Sequence, residues 1–426
     1  MLPTTRRRFL SQAWHLGAAA ALIPASARVR AASPPSRRVV VGVMGLGRGL
    51  DHVKALLRLP DVELRYLIDV DGTRLEKGQK VCADAKAPAP KALKDFRRAL
   101  EDRELDALCI ATPNHWHTPA TLLACEAGKH VYVEKPGSHD AAEAVSLSGA
   151  ARRHGRLIQL GTQRRSWPAI REAVERLHAG AIGEVRTARA WYTNRRGTIG
   201  RGRPAPVPEG LDYDLWQGPA PERPYLDNVV HYNWHWRWHW GGGEVANNGP
   251  HAFDLARWGL GATLPRRVTC GGGRYHFSDD QETPDTVLAT LDFGSKAFVW
   301  DGSSCHPRQG EDLPFVAWYG DKGTMEIRDP GYRILDPEGR VVAEAKGPGS
   351  DLDHFRNFVE AIRDEARLNA PIDEGQAGIL GCHLANIAFR TGGELEFDPV
   401  SRRILGNREA AKLWGREYRK GWKPRL

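Results

Sequence analysis

From residue 39 to about 160, apolar runs alternate with stretches of helical period. Val39-Val40-Val41-Gly42-Val43-Met44 contains no polar side chain, the pattern of a strand buried on both faces. A helical pattern through Val53, Leu56 and Leu57 follows, then a second strand from Val62 to Ile68, which ends at Asp69. Asp106 to Ala111 and His130 to Val133 predict two more strands with helical stretches between them. Strand and helix in alternation predict a doubly wound parallel sheet over residues 38–160.

The pattern then changes. Residues 185–193 and 286–300 predict longer strands, the second alternating at Val287, Ala289, Leu291 and Phe293, and Gly and Pro punctuate 197–224. These features predict a second domain over 161–400 built on an open, mainly antiparallel sheet. An amphipathic helix begins near Asp351, with Leu352, Phe355, Val359 and Ile362 on one face, and another carries Leu380, Leu384, Ile387 and Ala388. Residues 401–426 are basic but carry Trp414, Tyr418 and Trp422, which need a surface to bury against. This predicts a strap over the first domain.

Composition narrows the function classes. With 426 residues there is room for two or three domains. The net charge of +9 is concentrated at one end, because residues 1–32 hold five arginines and no acid; without them the balance is +4, too mild to argue for nucleic acid. No apolar run approaches the ~20 residues of a membrane span, so no stable membrane insertion is expected. Thr5-Arg6-Arg7-Arg8-Phe9-Leu10 resembles the twin-arginine export motif. An Ala-rich stretch from Gly17 to Ile23 follows, with cleavage expected after Ala25-Ser26-Ala27 or after Ala32. Residues 1–32 thus predict a signal peptide that engages the twin-arginine machinery and delivers the protein to the periplasm, and 33–37 predict a linker. The six cysteines are scattered, without Cys-x-x-Cys; a chain that folds before export should keep them as free, buried thiols.

Gly45-Leu46-Gly47-Arg48-Gly49 lies between the first strand and the first helix, where glycines admit a pyrophosphate to the backbone and the helix N-terminus offers N–H donors. The third glycine comes one position early, since Leu50 stands where Gly-x-Gly-x-x-Gly has its last glycine. Asp69, at the tip of the second strand, is placed to accept from a ribose diol and would repel a 2′-phosphate, which favours NAD over NADP.

Thr112-Pro113-Asn114-His115-Trp116-His117 follows one strand and Glu134-Lys135-Pro136 the next, both at the carboxyl edge where such sheets bind ligands. With the glycine loop, with Gly161-Thr162-Gln163-Arg164-Arg165, with the segment from Gly241-Gly242-Gly243 to Asp254 and with Asp353-His354-Phe355-Arg356, these residues resemble the Gfo/Idh/MocA oxidoreductases over residues 38–426. That is the family of glucose–fructose oxidoreductase and inositol dehydrogenase. The resemblance implies a Rossmann domain followed by an open-sheet domain serving substrate binding and oligomer contacts, in a homodimer or homotetramer. It implies that Lys135 is catalytic, that Pro136 sets the turn that aims it, and that Thr112, Pro113, Asn114, His117, Glu134 and Gln163 line the cofactor. A lysine beside a cationic nicotinamide has a lowered pKa and can take a carbinol proton as hydride leaves.

Many relatives complete the site with Asp-x-x-x-His. Here the histidine is His251, but the acidic position is Asn247, which can orient a substrate and cannot titrate. His251 then joins Lys135 as a proton shuttle, or caps its helix. Arg164 or Arg165 is a candidate donor to substrate. In the segment from His231 to Trp240, an extended chain would put Trp234, Trp236, Trp238 and Trp240 on one face and His235, Arg237 and His239 on the other. Stacking on a sugar ring, with Trp234, His235 and Arg237 as contacts, competes with an aromatic interface or core ribbon. Metal binding by His231, His235 and His239 would need a helix, which the tryptophan period opposes, so no metal is expected.

Free NAD is scarce outside the cytosol, so an exported member must carry its cofactor folded in and regenerate it on a second substrate. Two closed cycles fit: oxidation of one sugar, polyol or glycoside coupled to reduction of another, or an NAD-dependent glycoside hydrolase passing through a keto-sugar. The first is preferred because Glu134-Lys135-Pro136 is intact. A non-catalytic sugar-binding relative is the third reading, invited by Asn247.

Overall fold

The computed structural model describes residues 38–308 and 311–424; the expected signal peptide and linker lie outside the described residues. The first sheet has six strands: β1 (Val39–Met44), β2 (Val62–Ile68), β3 (Lys91–Leu93), β4 (Ala107–Ile110), β5 (His130–Glu134) and β6 (Ile158–Gly161). They are all parallel, in the order β3-β2-β1-β4-β5-β6. Every residue of β1 and β4 is buried, which is why the sequence shows apolar runs there rather than alternation. The order reverses at β1, so a crevice opens between the loops that follow β1 and β4. Gly45 turns the first of these loops at φ +87°, and a Cβ there would stand 2.6 Å from the Ala111 carbonyl oxygen of the other. The early third glycine has a packing reason: a Cβ on Gly49 would stand 3.0 Å from Val43 Cγ1, where the helix Gly49–Leu56 leaves the sheet.

The second sheet has ten strands: β7 (Val185–Thr193), β8 (Arg267–Gly273), β9 (Thr286–Asp292), β10 (Ala297–Ser303), β11 (Val316–Gly320), β12 (Gly323–Arg328), β13 (Gly331–Leu335), β14 (Val341–Ala345), β15 (Glu394–Asp398) and β16 (Arg403–Leu405). Their order is β14-β13-β12-β11-β7-β10-β9-β8-β15-β16, and among the described residues only the β7–β10 pair of this sheet runs parallel. The stretch 286–300, expected as one strand, is the hairpin β9–β10. Gly294 turns it at φ +96°, and Asp292 Oδ1 accepts from the Gly294 N–H at 2.7 Å. One face of this sheet packs on the helices Gly249–Leu260 and Ile372–Arg390 through Phe253, Leu380, Leu384, Phe298, Trp300 and Trp318. Leu288 and Tyr319, which alternate with these buried positions, remain exposed.

The two domains interleave. The helix Asp351–Ile362, expected within the second domain, inserts Phe355, Phe358 and Val359 into the core of the first beside Val53 and Leu56. Phe355 stacks on Tyr132 of β5 at 4.3 Å between centroids. Amphipathic period predicts that a face is buried and carries no information about which sheet receives it. The C-terminal residues divide likewise. β16 extends the second sheet, whereas Trp422 meets Trp116 edge-on at 5.3 Å, and Arg416 and Tyr418 both reach Glu143, each at 2.6 Å. All six cysteines are buried and unpaired. Among the described residues no helix is long and apolar enough to cross a membrane.

Replacing Phe355 by alanine is expected to cost about 3–5 kcal/mol, the usual range for a buried aromatic. Urea unfolding should show a lower midpoint with an unchanged slope.

Candidate active site

At the switch point lies a cavity of about 580 Å³, within the ~300–1,000 Å³ typical of cofactor sites. Gly45, Gly47, Arg48, Asp69, Thr112–Asn114, Glu134, Lys135, Asn247 and His251 line it. Gln163 and His117 also line it. The sequence expectations for these residues therefore fall in one cavity.

Lys135 ends β5 and crosses to the second domain. Its Nζ donates to the carbonyl oxygen of Asn247 at 2.7 Å and to Asn247 Oδ1 at 2.9 Å. Burial pulls its pKa below the ordinary 10.5; the charges of Glu134 and Glu244 oppose that pull, and Arg48 adds to it. Glu134 is buried, which by itself would raise its pKa. The hydrogen bond from His52 Nε2 (2.9 Å) and the charge of Arg48 (Nε at 3.2 Å) outweigh burial and hold it well below the carboxylate range. Arg48 also reaches Asp351 at 2.7 Å, so the glycine loop is tied to the helix that returns from the second domain.

His251 sits in the first turn of the helix Gly249–Leu260. Burial, with the charges of Arg164 and Lys135, keeps its pKa well below the ordinary value, so the ring is neutral, and its Nδ1 is buried without a hydrogen-bond partner among the described residues. Thr112 Oγ1 and Gln163 Oε1 are likewise buried and unpartnered among the described residues. Such groups on a cavity wall fit a polar ligand. Asp69 accepts from the N–H of Leu46 at 2.6 Å and of Asp71 at 3.0 Å, so it fastens the glycine loop to the end of β2. Burial raises its pKa, and those two N–H groups oppose the rise.

Other expected residues lie elsewhere. Leu46 belongs to the core beneath the loop and Gly49 packs on Val43, so neither lines the cavity. The three arginines expected at the substrate are already engaged. Arg164 pairs with Asp329 and lies over Phe315, 4.1 Å from the ring centroid. Arg165 is buried against Asp254 (2.7 Å) and Glu374 (2.8 Å). Arg237 is buried against Asn228 (3.0 Å) and Asp280 (3.1 Å). A sequence shows a cation's reach and not the acid already within that reach. The segment 231–240 is not extended: Asn233–Trp236 forms one 3-10 turn. Each tryptophan takes its own neighbour. Trp234 and Trp240 join Tyr213 and Trp216 in a small core, Trp236 lies under Arg196 at 4.0 Å and Trp238 under Arg390 at 4.9 Å. Trp234 and His235, stacked at 3.6 Å, nevertheless line the cavity. His231, His235 and His239 hydrogen-bond separately to Asp71, Tyr232 and Pro221, and no metal-holding cluster occurs among the described residues. Sequence reasoning missed His52 and Glu244, and also Arg74, Phe96, Trp216 and Tyr232 on the cavity wall. The only signal for Glu244 was an acid three residues ahead of Asn247.

The family model "Oxidoreductase family, NAD-binding Rossmann fold" matches residues 37–162, and "Oxidoreductase family, C-terminal alpha/beta domain" matches 186–424. The chain is 33% identical to the scyllo-inositol 2-dehydrogenase (NAD(+)) of Bacillus subtilis over 331 residues, 76% of this chain and 83% of that one. It is 25% identical to a glycosyl hydrolase family 109 protein of Parabacteroides distasonis over 369 residues, 79% of this chain and 75% of that one. Its fold resembles that of the aldose-aldose oxidoreductase of Caulobacter crescentus, with a TM-score of 0.65 and 19% identity over 85% of this chain and 100% of that one.

Asn247→Asp places a carboxylate against the Lys135 ammonium. The lysine pKa should rise by about 1–2 units, the effect of one close opposite charge. The pH dependence of Lys135 acetylation, followed by mass spectrometry, should shift upward by that amount.

Proposed function

The chain belongs to the Gfo/Idh/MocA oxidoreductases, an NAD-binding Rossmann fold joined to a C-terminal α/β domain, and from that premise we propose that it oxidises a hydroxyl of a neutral sugar, polyol or glycoside. The observation that carries this reading is Lys135: an amine of lowered pKa, held by Asn247, in the cavity that the neutral His251 and the glycine loop also line. NAD bound there supplies the hydride acceptor.

Gly45, Gly47 and Thr112–Asn114 are placed to hold the dinucleotide, because their backbone lies at the switch-point crevice. The Asp69 carboxylate at the end of β2, on the cavity wall, disfavours a 2′-phosphate and supports NAD over NADP. Lys135 takes the hydroxyl proton. Asn247 cannot titrate, so it aims the lysine and leaves proton transfer to Lys135 and His251. Both domains supply the site, so water is excluded only when they are packed together.

The arginine-rich N-terminus supports twin-arginine export to the periplasm with the cofactor already held. Retention then requires a second substrate to take the hydride back. The exposed Leu288 and Tyr319 on the uncovered sheet face support self-association. Similarity to a glycosyl hydrolase family 109 protein keeps one second reading in view, net hydrolysis through a keto-sugar.

Lys135→Ala should keep bound nucleotide and lose roughly 10²–10⁴ in hydride transfer, the usual worth of general acid–base catalysis. In the unaltered protein the neutral amine is the acting form, so oxidation should accelerate as pH rises, with a limb below 10.5. Absorbance of the reduced nicotinamide across a panel of sugars and polyols measures both. No transfer to or from any of them would leave a sugar-binding protein. Phenol release from a nitrophenyl glycoside would move the net reaction to hydrolysis.

A further inference from the structure

The crevice of a doubly wound sheet is open on the side of β2, where the adenosine half of a dinucleotide lies. Here that side is covered by the second domain. The segment 203–240, which leaves β7 and returns to the helix Gly243–Asn247, crosses to the first domain and is pinned at three places. At the end of β2, the Asp212 N–H donates to the Val70 carbonyl (2.9 Å) and the Gly72 N–H to the Gly210 carbonyl (3.3 Å). Beyond β3, Lys94 Nζ donates to the same Gly210 carbonyl at 3.3 Å. After β4, the Trp216 carbonyl accepts from Trp116 Nε1 (3.1 Å) and His115 Nε2 (2.9 Å). His231 then closes the ring with Nε2 2.7 Å from Asp71 Oδ2.

The segment is held from behind as well. The Arg419 N–H donates to the Pro219 carbonyl at 3.0 Å, and its guanidinium reaches Asp214 (2.7 Å) and Glu222 (2.8 Å). Tyr213, Trp216, Val229, Trp234 and Trp240 give it a core of its own, and Val70 packs against it. Leu215, Trp216 and His231 line the same cavity as Asp69, Arg74 and Phe96.

We propose that segment 203–240 is the outer wall of the adenosine half of the cofactor site. In this arrangement Leu215, Trp216 and Phe96 offer apolar faces to the adenine, Asp69 faces the ribose, and the His231–Asp71 and Lys94–Gly210 contacts act as latches that slow nucleotide exchange. This rests on the dinucleotide reading above and adds where retention resides: in a crossing from the second domain, away from the reacting end. The Lys94 and His231 side chains are exposed, so each can be cut back without opening a core, whereas Asp71 is avoided because it is buried and also caps the helix Gly72–Asp84.

The test uses the whole protein loaded with NADH. Release is followed by loss of protein-bound NADH fluorescence on dilution into excess NAD, for the unaltered chain, His231→Ala, Lys94→Ala and the double variant, with thermal unfolding of each nucleotide-free protein as the check on folding. Each single variant should release NADH roughly tenfold faster, the scale of one charge-assisted hydrogen bond, and the double variant faster still. A folded pair of single variants that release NADH at the unaltered rate overturns the wall. An unaltered protein that binds no nicotinamide nucleotide overturns the dinucleotide reading, and the wall with it.

Discussion

The contact between Lys135 Nζ and Asn247 joins the two domains at the point where chemistry is expected. A lysine at the end of a parallel strand would ordinarily extend into solvent and keep its ordinary pKa. Here it is drawn across the crevice to a carbonyl and an amide oxygen. Both acceptors favour the ammonium form, while burial favours the amine. The balance leaves the group able to trade a proton, and it exists only while the second domain holds Asn247 in place.

The helix that follows Asn247 is held by a set of charges, the Arg165–Asp254 pair among them buried. Arg165, from the segment after β6, pairs with Asp254 on the helix Gly249–Leu260, with both side chains almost sealed from water. Glu374, at the start of the helix Ile372–Arg390, meets the same guanidinium and also Arg257. Such pairs contribute little net stability, since desolvation offsets attraction, but they tolerate few alternative geometries. They fix the helix that carries His251 against the strand edge that carries Lys135. Arg48, Glu134, His52 and Asp351 do the same on the other side of the crevice, tying the glycine loop to the helix from the second domain.

Burial also explains the histidines. His117, His235 and His251 all border the cavity, and desolvation lowers the pKa of each, to about 4 for His117 and about 3 for His235. They are neutral at physiological pH and meet a ligand as uncharged rings. The positive charge that could meet a substrate near Lys135 is thereby kept small, which suits an uncharged hydroxyl compound.

Local sequence determined a good deal. Apolar runs without alternation marked β1 and β4, because a strand covered on both faces has no polar side; the glycines and Asp69 marked the turn and its partner strand. Glu134-Lys135 stood at a strand end, and Asn247 to His251 could be joined to it only through the resemblance to the family's motifs; the folded chain brings them into one cavity. Tertiary structure alone decided the rest. Arg164, Arg165 and Arg237 were taken by Asp329, Asp254 and Asp280, partners 43 to 165 residues away in sequence. The helix beginning at Asp351 went to the first domain, and the tryptophans of 234–240 dispersed to separate neighbours. Periodicity records how a segment divides its surface between water and interior. It holds no record of which distant surface fills that interior, and that choice belongs to the packing of the whole chain.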